Sequence, residues 1–207
     1  MDSQQVLDTL SAIADKMEQE KDFLTQLDNE IADGDHGINM ARGFAAVKEK
    51  LPTFAGKDLG SVFKTVGMTL VSVVAGSAGP LYGTAFMRSG AAMADRNDMN
   101  IDDLIVCLDA SIEGVMQRGK AVAGEKTMLD AMIPARDAMK QAAANNADAA
   151  AILAAGVKAA QDGVEYTKTI AATKGRASYI GERSIGHQDP GATSFTDILE
   201  TIAACIA

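Results

Sequence analysis

The chain has 207 residues, 28 of them acidic and 19 basic, for a formal net charge of −9. That balance excludes a nucleic-acid partner, whose phosphates need a basic face, and at first sight it argues against any phosphorylated ligand. With 47% hydrophobic residues, six Phe, three Tyr, no Trp and abundant Ala, the composition allows one core and favours helix over sheet.

In chain order, Val6, Leu10, Ile13 and Met17 fall at helical spacing and open a predicted helix over 3–29. Its start, MDSQQVLDTLSAIADKMEQE, is acidic and amphipathic and does not read as a signal peptide. The turn ADGDHG (32–37) leads to predicted helices over 37–50 and 57–75. GSAGP (76–80) then divides the charge-free stretch between Lys64 and Arg88 into two short apolar pieces, so no membrane span is expected. Helices over 81–95, 101–118, 127–144, 147–171 and 192–206 complete the count. Cys107 and Cys205 sit in apolar helical patterns with no zinc spacing, and are expected to be buried or half-buried free thiols of a reducing compartment. One connection, KGRASYIGERSIGHQDPG (174–191), is too long for a simple turn and reads as an ordered lid. The expectation is an all-α protein: one domain over 1–207, built as an eight-helix antiparallel up-and-down barrel or bundle, soluble and cytoplasmic.

Residues 20–35 hold six acids against one base, more than half of the net charge. Asp28 falls near a helix end and Asp33 and Asp35 in the Gly-containing turn after it, so a chain reversal could bring all three together. Carboxylates about 5 Å apart repel by roughly 3 kcal/mol per pair at an effective dielectric near 20. Such a cluster takes up protons or binds a hard cation, Mg²⁺ or Ca²⁺; a solvated turn with capping aspartates is the plainer alternative. An EF-hand is ruled out, because the twelfth position of a loop starting at Asp33 is Phe44 rather than Glu. His36-Gly37-Ile38-Asn39 opens a helix whose free N–H groups favour anions, although His36 alone reads equally as a cap or a satisfied core residue. GSAGP is a second Gly-rich helix entry without the Gly-Lys-Ser/Thr of a P-loop, and a tight interhelical corner would look the same. Asp189-Pro190-Gly191-Ala192-Thr193 also enters a helix, with Asp189 or Thr193 as its cap.

LDNEIADGDHGINMARGF (27–44), GSAGPLYGT (76–84), RGKAVAGEKTMLD (118–130) and KGRASYIGERSIGHQDPGATS (174–194) together resemble the L subunit of dihydroxyacetone kinases, in order and across nearly the whole chain. The resemblance implies an eight-helix barrel in which Asp28, Asp33 and Asp35 hold two Mg²⁺ ions that hold the phosphates of ADP or ATP. It places His36, Gly37, Ile38, Asn39, Ser77 and Ala78 on the phosphate side, Gly119, Met128 and Arg176 on the adenosine side, and Asp189, Pro190 and Gly191 in a closing loop. It assigns no nucleophile to this chain: dihydroxyacetone is held on a histidine of a separate K subunit, so His187 in the lid has no substrate-linking role. It further implies a free-standing subunit whose bound ADP is recharged from phosphoenolpyruvate by a phosphocarrier M subunit, and it allows a homodimer. An ATP-exchanging subunit for another small ketose or acceptor, or a non-catalytic nucleotide-binding regulator, are the competing expectations.

Overall fold

A computed structural model describes residues 1–206. Nine α-helices occur among the described residues: α1 (Ser3–Gln19), α2 (Lys21–Ile31), α3 (His36–Lys50), α4 (Leu59–Val73), α5 (Ala78–Ala92), α6 (Ile101–Gly119), α7 (Leu129–Ala144), α8 (Ala149–Thr167) and α9 (Pro190–Ile206). Short 3-10 turns at Leu51–Phe54, Arg176–Tyr179 and Gly181–Ser184 lie in the connections. No helix is long and apolar enough to cross a membrane among these residues.

Sequence neighbours pack side by side from α3 to α9, and both α1 and α2 pack on α3 and on α9, so the ring closes. This is the expected up-and-down barrel with one correction. The helix predicted over 3–29 is broken at Glu20, whose N–H still reaches Lys16 while its carbonyl accepts from Leu24. The break adjoins the point where α3 comes closest: a side chain at Gly37 would collide with the Lys21 carbonyl and with Thr25. The apolar spacing of Met17, Leu24 and Leu27 runs straight through it, so no periodicity marks it.

The core is a continuous apolar cluster, with Met17, Leu24, Phe44, Leu70, Leu129 and Met139 fully enclosed. Burial of each such side chain stabilises the fold by about 1.5–3 kcal/mol. Small residues set the closest crossing: Gly60 faces Gly90, and Gly67 faces Gly83, so α4 and α5 meet nearly backbone to backbone. Along the barrel axis lies an apolar cavity of about 400 Å³ walled by Leu10, Ile13, Phe63, Phe86, Leu108 and Phe195. Cys107 is buried, and burial pushes its thiol up to about 11. Cys205, in contrast, is exposed: it lies on the outer face of the last turn of α9, whose Ile202 and Ile206 pack on the core.

Alternation of direction in such a ring places the N-termini of α3, α5, α7 and α9 on one rim. The segment 168–189 folds over the same rim. It is tied down by a small apolar cluster of Ile31, Ala172, Ala177 and Ile180, and by buried Ser184, whose hydroxyl accepts from the Ala172 N–H at 2.8 Å.

Candidate functional site

The rim bearing these N-termini holds a cleft of about 450 Å³. Its acidic wall is built by a chain reversal. Asp28 lies in the last turn of α2, Gly34 (φ 72°) reverses the backbone, and Asp35 precedes α3. Asp35 does not cap its own helix; Asp28 reaches across instead, accepting from the N–H groups of Asp35 (2.9 Å) and His36 (3.3 Å). The Asp35 carboxylate is thereby freed, and one oxygen from each of Asp28, Asp33 and Asp35 lies within 4.8 Å of the others. Burial raises the Asp28 pKa, the two backbone N–H groups oppose that, and the nearby Asp33 and Asp35 charges raise it further. An all-oxygen donor set of one buried, one half-buried and one exposed carboxylate, crowded by its own charge, suits a hard divalent cation.

Three further elements face this wall. Gly76 (φ 69°) turns the chain so that Ser77 and Ala78 begin α5, with no side chain capping its first N–H groups. Met128 precedes α7, whose first N–H donates to Thr127 Oγ1 at 3.3 Å. At α9 Asp189 is the cap, accepting from Ala192 N–H at 2.7 Å and ahead of Pro190 at the first helical position. Burial pushes the Asp189 carboxyl up to about 7, with the Asp130 charge adding to the rise and Lys126 and the Ala192 N–H opposing it. His36 hydrogen-bonds Ser194 through Nε2 (2.9 Å), and burial lowers its pKa to about 4, so the imidazole is neutral.

Of the residues singled out from sequence, Asp28, Asp33, Asp35, His36, Ser77, Ala78, Gly119, Met128, Arg176, Asp189, Pro190 and Gly191 line this cleft. Gly37, Ile38 and Asn39 are not among its walls. Gly37 is enclosed where α3 meets α2, the Ile38 side chain is half exposed, and buried Asn39 accepts from Arg42 at 2.7 Å. Arg176 pairs with Asp33 at 3.2 Å, and His187 meets Glu30 at 2.8 Å, so the 168–189 segment is fastened to the acidic wall at two points.

Sequence reasoning missed Lys126. It has a positive φ of 61° and is almost fully buried, and its ammonium donates to the carbonyls of Thr167 (2.5 Å), His187 (2.5 Å) and Ile170 (3.3 Å). One cation thus gathers the two ends of the 168–189 segment. Asp130 supports it by accepting from Gly124 and Thr127 N–H groups. No spacing within RGKAVAGEKTMLD distinguishes this lysine from an ordinary solvated one.

Residues 30–204 match the family described as the DAK2 domain. The chain belongs to that family. Over 199 residues it is 44% identical to the Escherichia coli (strain K12) protein named PEP-dependent dihydroxyacetone kinase, ADP-binding subunit DhaL, a match covering 96% of this chain and 95% of that one. A Lactococcus lactis relative, named PTS-dependent dihydroxyacetone kinase, ADP-binding subunit DhaL, is 36% identical over 97% of this chain and 96% of its own. Among solved structures, the dihydroxyacetone kinase from C. freundii in complex with AMP-PNP and Mg²⁺ superposes with a TM-score of 0.74 at 23% identity. That likeness covers 96% of this chain and 33% of the larger one, and it supports the fold.

Proposed function

We propose that this chain is the nucleotide-binding subunit of a phosphoenolpyruvate-dependent dihydroxyacetone kinase, a phosphotransferase that keeps ADP bound as a cofactor. In this reading the γ-phosphoryl of the recharged nucleotide passes to dihydroxyacetone held on a partner K subunit, and a phosphocarrier M subunit restores it. The observation that carries the reading is the convergence of four helix N-termini and a three-carboxylate cluster on one cleft, in a chain matching subunits of that description over nearly their whole length.

Each helix N-terminus carries about half a positive charge, and that of α5 is free of a side-chain cap. Ser77 and Ala78 offer backbone N–H groups, and the Ser77 hydroxyl, to phosphate oxygens. Asp28, Asp33 and Asp35 would hold two Mg²⁺ ions, which when bound neutralise phosphate charge and favour phosphoryl transfer. Gly119, Met128 and Arg176 line the adenosine side, and 174–191 acts as a lid that excludes water, held by Lys126 and by Asp189 at its base. Positioning and charge neutralisation supply the catalysis, so no nucleophile or general base is assigned here. Gly37 and Asn39 contribute by fixing the start of α3. The protein acts in the cytoplasm.

The test is to denature the protein as purified and identify released nucleotide by absorbance and mass. ADP is expected at close to one per chain, and Asp33→Ala and Asp35→Ala proteins should release none. A folded wild-type protein that releases no adenine nucleotide and binds none in the presence of Mg²⁺ would overturn the proposal.

A further inference from the structure

Tyr82 on α5 and Ser194 on α9 are both buried, and nothing above gives either a role in the site. Their hydroxyls form a chain beneath the cleft. Tyr82 Oη lies 2.7 Å from Ser194 Oγ, which lies 2.9 Å from His36 Nε2. Longer contacts join the two hydroxyls to the Gly191 carbonyl, at 3.3 Å from Tyr82 and 3.2 Å from Ser194. The His36 ring stands on the cleft wall, and its hydrogen bond to Ser194 engages Nε2 and not Nδ1.

Proton counting then orders the chain. Each hydroxyl has one proton to give, and a neutral imidazole has one. When Tyr82 donates to Ser194 and Ser194 donates to Nε2, the two shortest contacts are used and the imidazole proton must sit on Nδ1. The reverse order runs Nε2–H into Ser194 and then, directly or through Tyr82, into the Gly191 carbonyl; either way it ends on a 3.2–3.3 Å contact to an oxygen that already serves the α9 backbone ladder. It would also turn a lone pair toward the region of Asp28 and Asp35, where phosphate oxygens are placed in the reading above.

We infer that Tyr82 and Ser194 are positioning residues that fix the tautomer of His36, so that Nδ1–H is presented to the cleft as a donor for a nucleotide phosphate oxygen. The donor half of this inference rests on the nucleotide reading of the cleft; the tautomer half does not. Tyr82 is suited to the task because it stands in the wall shared by the cleft and the apolar barrel cavity, with its ring buried and its hydroxyl on Ser194.

With only two histidines in the chain, ¹⁵N-histidine labelling can read the tautomer directly in nucleotide-free protein, and a His187→Gln protein identifies the His36 signals. Wild type is expected to show a protonated Nδ1 and an accepting Nε2. In Tyr82→Phe and Ser194→Ala the proton should move wholly or partly to Nε2, and Mg-dependent ADP binding should weaken by about three- to tenfold. Tyr82→Phe keeps the packed ring, so it serves if the serine variant fails to fold. A protonated Nε2 in wild type, or a tautomer unchanged in Tyr82→Phe, overturns the inference. If wild type holds Nδ1–H but binds no ADP, the nucleotide reading falls, and the donor half falls with it.

Discussion

The two rims of the barrel treat their helix N-termini differently. On the far rim α1, α4, α6 and α8 begin with Asp2, Asp58, Asn100 and Asp148, and each of these side chains accepts from the N–H three residues on. On the cleft rim only α5 begins without a side-chain acceptor: the first N–H of α3 goes to Asp28 and that of α7 to Thr127 Oγ1, each at 3.3 Å, and α9 has its own cap, Asp189. Capping adds stability; leaving N–H groups free keeps them for a ligand. The difference explains how a chain of net charge −9 offers a cleft to phosphate. In the proposed reading its acids hold the cation, and its backbone dipoles face the anion.

The sharpest way to break this contrast is at the acidic wall. Asp35→Ala should weaken Mg-dependent ADP binding by more than about a hundredfold, since losing a ligand costs more than disturbing a supporting residue. Calorimetric titration checks it, and the melting temperature without nucleotide should not fall, because Asp35 caps nothing. Next comes Lys126→Met, which strips one buried and two partly buried carbonyls of their donor and should destabilise the fold by about 2 kcal/mol. Hydrogen exchange should then rise first in 168–189. Uniform exchange across the barrel would show that Lys126 supports the fold generally rather than the lid.

Much of this was legible in the sequence, for reasons that differ by region. Apolar residues at 3.6 spacing fixed eight runs because every helix buries one face in a common core, and Gly76 and Pro190 marked helix entries through their own backbone preferences. Asp28, Asp33 and Asp35 could be read as a group because they are local. The resemblance supplied what spacing could not, including Gly119 and Arg176. Long-range partners stayed hidden. Lys126 reaches carbonyls more than forty residues away, and His36 meets Ser194 across 158 positions. Nor does any local signal show that Asp28, not Asp35, would hold the start of α3.

A buried acid away from the cleft gives a control of smaller size. Asp197 on α9 has one carboxylate oxygen with no partner among the described residues. Burial pushes its pKa up to about 6, with Lys16 opposing and Glu20 and Glu200 adding to the rise. A folded-state pKa above the unfolded one means that ionisation opposes folding. The cost is absent below about pH 4, grows as pH rises toward 6 and is complete above it. Asp197→Asn should therefore raise stability by about 1–2 kcal/mol at pH 8 and by nothing at pH 4. Lys16 keeps its 2.7 Å bond to Glu20 in the variant. Denaturant melts at the two pH values decide it, and ADP binding should be unaltered.

The smallest effects test the rims against each other directly. Asn100 and Asp103 form a capping box at the start of α6, so Asn100→Ala should cost about 1 kcal/mol and leave ADP binding unchanged. Ser77 holds the corresponding position at α5 but its side chain makes no cap bond, so Ser77→Ala should change stability by less than about 0.5 kcal/mol. It should weaken ADP binding instead, because its hydroxyl and the N–H groups beside it face the cleft. Chemical melts and ADP titrations on the two variants form a two-by-two comparison. If Ser77→Ala destabilised the protein as much as Asn100→Ala and left ADP binding intact, the cleft rim would be an ordinary helix entry. The proposed division of labour between the two ends of the barrel would then fail.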